Sequence, residues 1–197
     1  MVHGRGEGDE PTDPDRALLA RVAEGDEGAF AQLIEKHQVR LLRLCERLLG
    51  SPEDARDAAQ DVLLKIYRKA ATFEPRGQVF TWIYRIATNH CLNKLRRRKI
   101  VQFVGLASPE GGEARPWQPQ DPSPGAERRL QARDRWRRTR QSIRRLPPGQ
   151  RGVLVLAKFE GLSYRQIAEV MGITESAVES RLFRAMRNLE RAQEELS

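Results

Sequence analysis

Asp54, Asp57 and Asp61 recur at i, i+3 and i+7, so a helix there would line their carboxylates along one face. Carboxylates so paired can hold a metal or move protons. No histidine or further acid is placed to complete such a site. The stripe therefore reads either as a solvated helix face or as an acidic docking strip for a basic helix of a partner, and spacing alone does not separate the two. Cys45 and Cys91 stand far apart in the chain without CxxC spacing, and His90 beside Cys91 is a neighbour pair rather than a ligand spacing. Neither a disulfide framework nor a zinc site is expected. There is also no P-loop and no nucleophile–base pair. The reading is of a protein that is not an enzyme, with no catalytic residue, no metal and no cofactor.

Two other groupings suit nucleic acid. Phe73, Phe80, Trp82 and Tyr84 cluster around a loop containing Pro75 and Gly77, and the chain runs on through Asn89, Asn93 and Lys94 to Arg96, Arg97, Arg98 and Lys99. Rings that stack bases beside cations that hold phosphate are what an unpaired strand needs. Trp82, with Ile83 and Ile86, reads more readily as core. The second grouping is the run SYRQIAEVMGIT from Ser163 to Thr174. Ser163 and Gln166 make a capping box, Gly172 permits a sharp turn, Ile173 plugs the angle, and Thr174 caps the next helix. This is helix-turn-helix chemistry. On the second helix Val178, Leu182, Ala185 and Leu189 share one face, while Ser176, Ser180, Arg184 and Arg187 lie opposite. Guanidiniums and hydroxyls presented in this way suit a major groove.

The elements that must position these groups are helical throughout. Asp26 is a plausible cap for a helix carrying Phe30, Leu33, Ile34, Leu41, Leu44 and Leu48, which Gly50 stops. Ser51 and Pro52 open a second helix that buries Ala55, Ala58, Val62, Ile66 and Ala70 and ends near Phe73. Glu74 to Val79 is a loop, and a long helix from Phe80 to about Lys99 follows. Ile100 to Gly125, rich in Pro, Gly and acids, reads as a linker. Beyond it come an Arg-dense helix from Ala126 to Leu146 stopped by Pro147 and Pro148, a short helix from Val153 to Phe159, and the two helices of the helix-turn-helix. The expected fold is all-α: two small helical domains, residues 26–99 and 126–197, joined by a flexible linker at 100–125 and preceded by an acidic tail at 1–25.

Charge follows the same division. Of the 197 residues, 35 are Lys or Arg and 27 Asp or Glu, a net of +8. Residues 1–25 hold three basic and six acidic residues, 26–99 fifteen and nine, 100–125 one and three, and 126–197 sixteen and nine. Two basic blocks flanking an acidic connector favour a polyanionic partner. No stretch is long and apolar enough to span a membrane. Met1 to Glu10 is polar and acidic, unlike a secretory signal, so a cytoplasmic location is expected.

Taken together, the two halves resemble a known family. Residues 54–62, DARDAAQDV, with Phe73, Gly77 and the run FTWIYRIATN ending at Asn89, are similar to the second region of extracytoplasmic-function (ECF) sigma factors of the sigma-70 family. LPPGQR from Leu146, EGLSYRQIA from Glu160 and SRLFRA from Ser180 resemble their fourth region. The resemblance implies promoter-specific transcription initiation with core RNA polymerase. Asp54, Asp57, Gln60 and Asp61 would dock on the β′ clamp helices, and the fourth region on the β flap. Arg76, Gly77 and Gln78 of the loop, with Phe80, would capture a base flipped from the −10 element. Asn89, Asn93, Lys94, Arg96, Arg97 and Arg98 would hold the opened strand. Arg165, Ser176, Glu179, Ser180, Arg181, Arg184 and Arg187 would read or hold the −35 element. The linker would thread toward the RNA exit path, and an anti-sigma factor, in many relatives at the membrane, would hold the protein off. Glu179 and Met186 stand where relatives often carry a basic residue, which implies an altered −35 preference. Arg56 stands where relatives usually have an acid, which bears on clamp docking. A stand-alone helix-turn-helix regulator is the competing reading. Free protein is expected to bind promoter DNA poorly, because each domain has a small footprint and the linker is flexible.

Overall fold

The computed structural model describes residues 13–74, 77–103 and 138–194, all of them in helices or the turns between them. Helix α1 (Pro14–Ala23) is capped by Asp13, whose carboxylate accepts from the Asp15 amide. Helix α2 (Glu27–Leu49) is capped by Asp26 and ends at Gly50, whose φ of 76° is the left-handed conformation that glycine adopts without strain. Helix α3 (Pro52–Lys69) starts as the sequence suggests, with Ser51 as cap and Glu53 and Asp54 in the first turn. It runs into a 3₁₀ turn, Ala70–Thr72. Helix α4 spans Val79–Phe103. The described part of α5 is 138–145; α6 (Pro148–Lys158), α7 (Tyr164–Met171) and α8 (Glu175–Glu194) complete the chain.

Three boundaries differ from expectation. The stretch read as an acidic tail contains α1, whose Leu19 and Val22 are buried against the first bundle. Its apolar residues are too few to register as periodic, and Asp13 and Asp15 take specific partners rather than solvent. Asp15, buried, accepts from Lys36 Nζ at 2.6 Å and meets His37 Nε2 at 2.7 Å. Burial pushes the Asp15 carboxyl upward, but those hydrogen bonds and charges together leave it below its ordinary value. The second difference is α6, which begins at Pro148, five residues before Val153. Proline lacks an amide that the first turn would leave unbonded anyway, so here it opens a helix as well as closing one. The third is α4, which runs to Phe103 and so takes in the first four residues of the expected 100–125 linker; the rest of that linker and the part of the Arg-dense helix before residue 138 lie outside the described residues.

The first bundle closes around Leu33, Leu41, Leu44, Val62, Ile66, Ile83 and Tyr84. Cys45 and Cys91, distant in sequence, meet inside it: the Cys91 thiol donates to Cys45 Sγ at 3.6 Å, and both are free and buried. They lie on the inward faces of two helices that pack together, a proximity that separation along the chain does not report. The second bundle centres on Leu154, Leu156, Ile167, Val178 and Ala185.

The two bundles are packed together. A Cβ added at Gly152 of α6 would come within 3.2 Å of Leu92 in α4 and 3.1 Å of Met171 in α7, so any larger residue would make those side-chain tips give by a few tenths of an ångström. Glu160 accepts from Arg47 Nη1 at 2.5 Å and from the Tyr84 hydroxyl at 2.8 Å. Arg85 donates twice to the carbonyl of Glu169, at 3.0 and 2.7 Å. Between α2, α5 and α6 lies a cleft of about 240 Å³ lined by Arg43, Arg47, Arg140, Ile143, Val155 and Phe159.

Candidate nucleic-acid interface

Of the carboxylate stripe on α3, Asp57 and Asp61 are exposed, as is Gln60 between them. Asp54 is not free. Its Oδ1 accepts from Lys94 Nζ at 3.0 Å and is also paired with Arg98. The Arg98 hydrogen bond is the main reason its carboxyl falls to about 2; burial opposes and Lys94 assists. Asp54 therefore ties α3 to α4, and the same contacts turn Lys94 and Arg98 away from the face expected to hold a strand. His90 sits between the two helices, with Asp61 Oδ2 at 3.4 Å from Nε2 and Lys65 Nζ at 2.5 Å from Nδ1. Burial, reinforced by Lys65, lowers its pKa, so the neutral ring accepts from Lys65 at Nδ1 and turns its Nε2 toward the largely exposed Asp61 carboxylate. Leu64, one turn beyond Gln60 and Asp61 and two beyond Asp57, is 52% exposed and completes an amphipathic strip with them. The sequence reading missed it. Its place off the face of Ala55, Ala58, Val62 and Ile66 was the available signal.

On α4 the remaining polar residues separate by angle. Asn89, Asn93, Arg96 and Arg97 are exposed, and Arg96 Nη1 donates to Asn93 Oδ1 at 2.8 Å. Arg85, one turn before Asn89, extends the same face but is committed to the Glu169 carbonyl. In the loop before α4, Gly77 and Gln78 are exposed, whereas Arg76 lies outside the described residues. Phe80 is half-buried, its ring 4.1 Å from the Tyr84 ring, with Arg40 over it at 5.9 Å. Trp82 is half-buried and meets Phe73 edge-on at 5.7 Å. That contact places it with the core, as the aromatic spacing suggested.

The helix-turn-helix is built as its residues imply. The Ser163 hydroxyl accepts from the Gln166 amide at 3.3 Å, and the Gln166 side chain accepts from the Ser163 amide at 3.0 Å. Gly172 has φ 63°, and Thr174 Oγ1 accepts from the Ala177 amide. Ser176, Glu179, Ser180, Arg184 and Arg187 are exposed on α8, and Arg165 is exposed on α7, where it faces Glu169 at 3.5 Å. Arg181 departs from this set: it is half-buried, with its guanidinium against Gly149 at the start of α6. Phe183, 63% exposed, was not expected on the outer face, and Met186, read as bearing on the −35 preference, is 38% exposed. Phe183 stands between Glu179 and Ser176 in angle and packs under Arg187 at 5.9 Å, so the helical projection already contained it.

Comparison with known proteins matches both halves. Residues 33–100 fit the family described as Sigma-70 region 2, and residues 136–189 that described as Sigma-70, region 4. The chain is 36% identical to the RNA polymerase sigma-H factor of Pseudomonas aeruginosa over 90% of this chain and 93% of that protein. It is 34% identical to the ECF RNA polymerase sigma factor SigM of Mycobacterium tuberculosis, strain H37Rv, over 90% and 83% respectively. Among solved structures, CnrH in complex with the cytosolic domain of CnrY is similar at a TM-score of 0.63 and 27% identity, covering 93% of this chain and 99% of that one. RpoE of Bartonella quintana, solved with the anti-sigma factor NepR, shares the fold at a TM-score of 0.63 and 22% identity, over 84% and 96%. All-helical bundles with a capped helix-turn-helix suit a protein that reads duplex DNA, and the matched families narrow this to promoter recognition. The chain belongs to the sigma-70 family and is one of its ECF sigma factors, non-catalytic subunits of transcription initiation.

Proposed function

We propose that this sigma factor docks on the β′ clamp helices of core RNA polymerase through Asp57, Gln60, Asp61 and Leu64 of α3. Carboxylates around one exposed leucine suit a basic partner helix better than a purely solvated face would. Asn89, Asn93, Arg96 and Arg97 hold the opened −10 strand, with amides for base edges and guanidiniums for phosphate. The loop ending at Gly77 and Gln78 receives the flipped base. Ser176, Glu179, Ser180, Arg184 and Arg187 enter the major groove of the −35 element, where Glu179 can accept from cytosine N4. The observation that carries this reading is the exposed polar face of α8 behind a fully satisfied capping box and a left-handed Gly172. The described residues contain no helix long and apolar enough to cross a membrane. The protein acts in the cytoplasm with core polymerase and promoter DNA, the β flap seating the fourth region, and an anti-sigma factor holds it off. That last partner is supported by the complex seen for the Bartonella quintana protein.

The test is transcription in vitro with bacterial core polymerase on a promoter library, with and without this protein. Transcripts that depend on the protein and share two spaced upstream motifs are expected. Duplex binding without any transcript would favour a stand-alone regulator.

A further inference from the structure

Helix α1 makes two hydrogen bonds to the loop that leads into α4, across more than sixty positions of chain. Asp13 uses one carboxylate oxygen to cap α1 and the other, Oδ2, to accept from the Val79 amide at 2.8 Å. Arg16, one turn further on, donates from Nη2 to the Gly77 carbonyl at 3.1 Å. Val79 is the first residue of α4, and an amide at a helix start has no partner within its own helix. A carboxylate there also meets the positive end of the helix dipole. One acid thus bonds amides at the starts of two helices.

The tie is anchored on its other side. Asp15 is buried between Lys36 and His37, while Leu19 and Val22 fill the first bundle, so α1 cannot shift without breaking these contacts. The loop is held at its other end as well, where Phe73 meets Trp82 and the Gly77 amide bonds back to the Glu74 carbonyl at 3.1 Å. Gly77 and Gln78 remain exposed between these fixed points.

We infer that Asp13 and Arg16 are positioning residues for −10 recognition: they fix the backbone at Gly77–Val79, and so the pocket edge that discriminates the flipped base. This rests on the proposed −10 role of the loop. A pocket rewards flipping only if its walls already stand where the base will go, because the cost of unstacking has to be met by contacts formed in one geometry. The two residues touch no base. They act through the Val79 amide and the Gly77 carbonyl.

The experiment uses the full chain reconstituted with core polymerase on a promoter recovered with the unaltered protein, together with derivatives changed at each −10 base. Asp13→Ser keeps a side chain that caps α1 but is too short to reach Val79, and Arg16→Ala removes the donor to Gly77. Each is expected to lower transcription from the parent promoter roughly five- to tenfold, in keeping with the loss of one hydrogen bond. Each should also flatten the preference among −10 bases, while co-elution with core polymerase, thermal midpoint and −35 dependence stay near those of the unaltered protein. Arg16→Lys, which retains a donor, should restore most of the preference. An unchanged −10 preference in both variants overturns the inference, as does a parallel loss of core binding and thermal midpoint, which would mark α1 as a purely structural brace. If the unaltered protein itself directs no transcription, the −10 reading fails and this inference with it, an outcome distinct from variants that behave like the parent.

Discussion

Arg151 brings a positive charge into the junction between the bundles and meets it with carbonyl oxygens. It donates to Leu48 at 2.9 Å, to Leu146 at 3.4 Å and to Arg144. These carbonyls end α2 and α5, so the guanidinium also lies at the negative ends of two helices. Burial, with Arg144 adding repulsion, lowers its pKa to about 10, which still leaves it charged at neutral pH. Arg151→Met should cost about 2–4 kcal/mol in urea denaturation, because several buried acceptors lose their donor at once. Asp54 gives a pH-dependent prediction. Its folded pKa is depressed to about 2 from 3.8, so the stabilisation is fully present above the unfolded value and is lost as pH falls through about 2. Asp54→Asn should lower the thermal midpoint at pH 7, with the difference from the unaltered protein shrinking between pH 4 and pH 2. A deficit that persists at the acid end would mean that the carboxylate charge is not what ties α3 to α4. The roles of these two residues differ in legibility. Asp54 was visible as one of three spaced acids, but its inward partners depend on how α3 crosses α4, which no local pattern contains.

At the scale of elements, the helix-turn-helix was almost wholly legible. Capping boxes, left-handed glycines and apolar plugs are local devices whose geometry spans four or five residues, so type and spacing suffice to find them. Ser163→Ala should remove one side of the box and cost about 1 kcal/mol. Its clearest readout is faster amide exchange in the first turn of α7, with exchange in α2 unchanged. Helix α1 was missed for the opposite reason. Ten residues with two buried apolar side chains give too weak a period, and its stability comes from Asp15 meeting Lys36 and His37 in another helix. The split of the Arg96–Lys99 run has the same origin. Arg96 and Arg97 face solvent while Arg98 turns to Asp54, a choice made by the neighbouring helix.

Over the whole molecule, the two bundles are held against each other by a small set of directional contacts. Glu160 is the densest of them, joining Arg47, whose guanidinium also lies 5.3 Å from the Phe159 ring, to Tyr84. The Tyr84 phenol is pushed upward first by burial and then by Glu160, so its hydroxyl stays a donor at any ordinary pH. Glu160→Ala should strand Arg47 and the Tyr84 hydroxyl and loosen the interface. Energy transfer between labels on the exposed residues Glu35 and Glu190 should then report a longer mean separation than in the unaltered protein. An unchanged separation would mean that Gly152 packing and the Arg85 contact suffice alone. Poor promoter binding by the free protein was expected from a flexible linker. The packed bundles supply a second and more specific reason, since two halves held together cannot take up elements spaced along a duplex without first parting.

What the sequence determined by itself was whatever is encoded within a turn or two of helix: the all-helical class, the caps, the acidic strip and the outer face of α8. These follow from hydrogen-bond closure and the 3.6-residue period, both of which act at short range. The tertiary structure alone decided which charges are spent internally. It brought Asp54 to Arg98, Cys45 to Cys91, Glu160 to Arg47 and Asp13 to Val79, pairs whose members lie dozens of residues apart. Such contacts arise from how helices cross, and crossing is set by the summed shape of the buried faces rather than by any one segment.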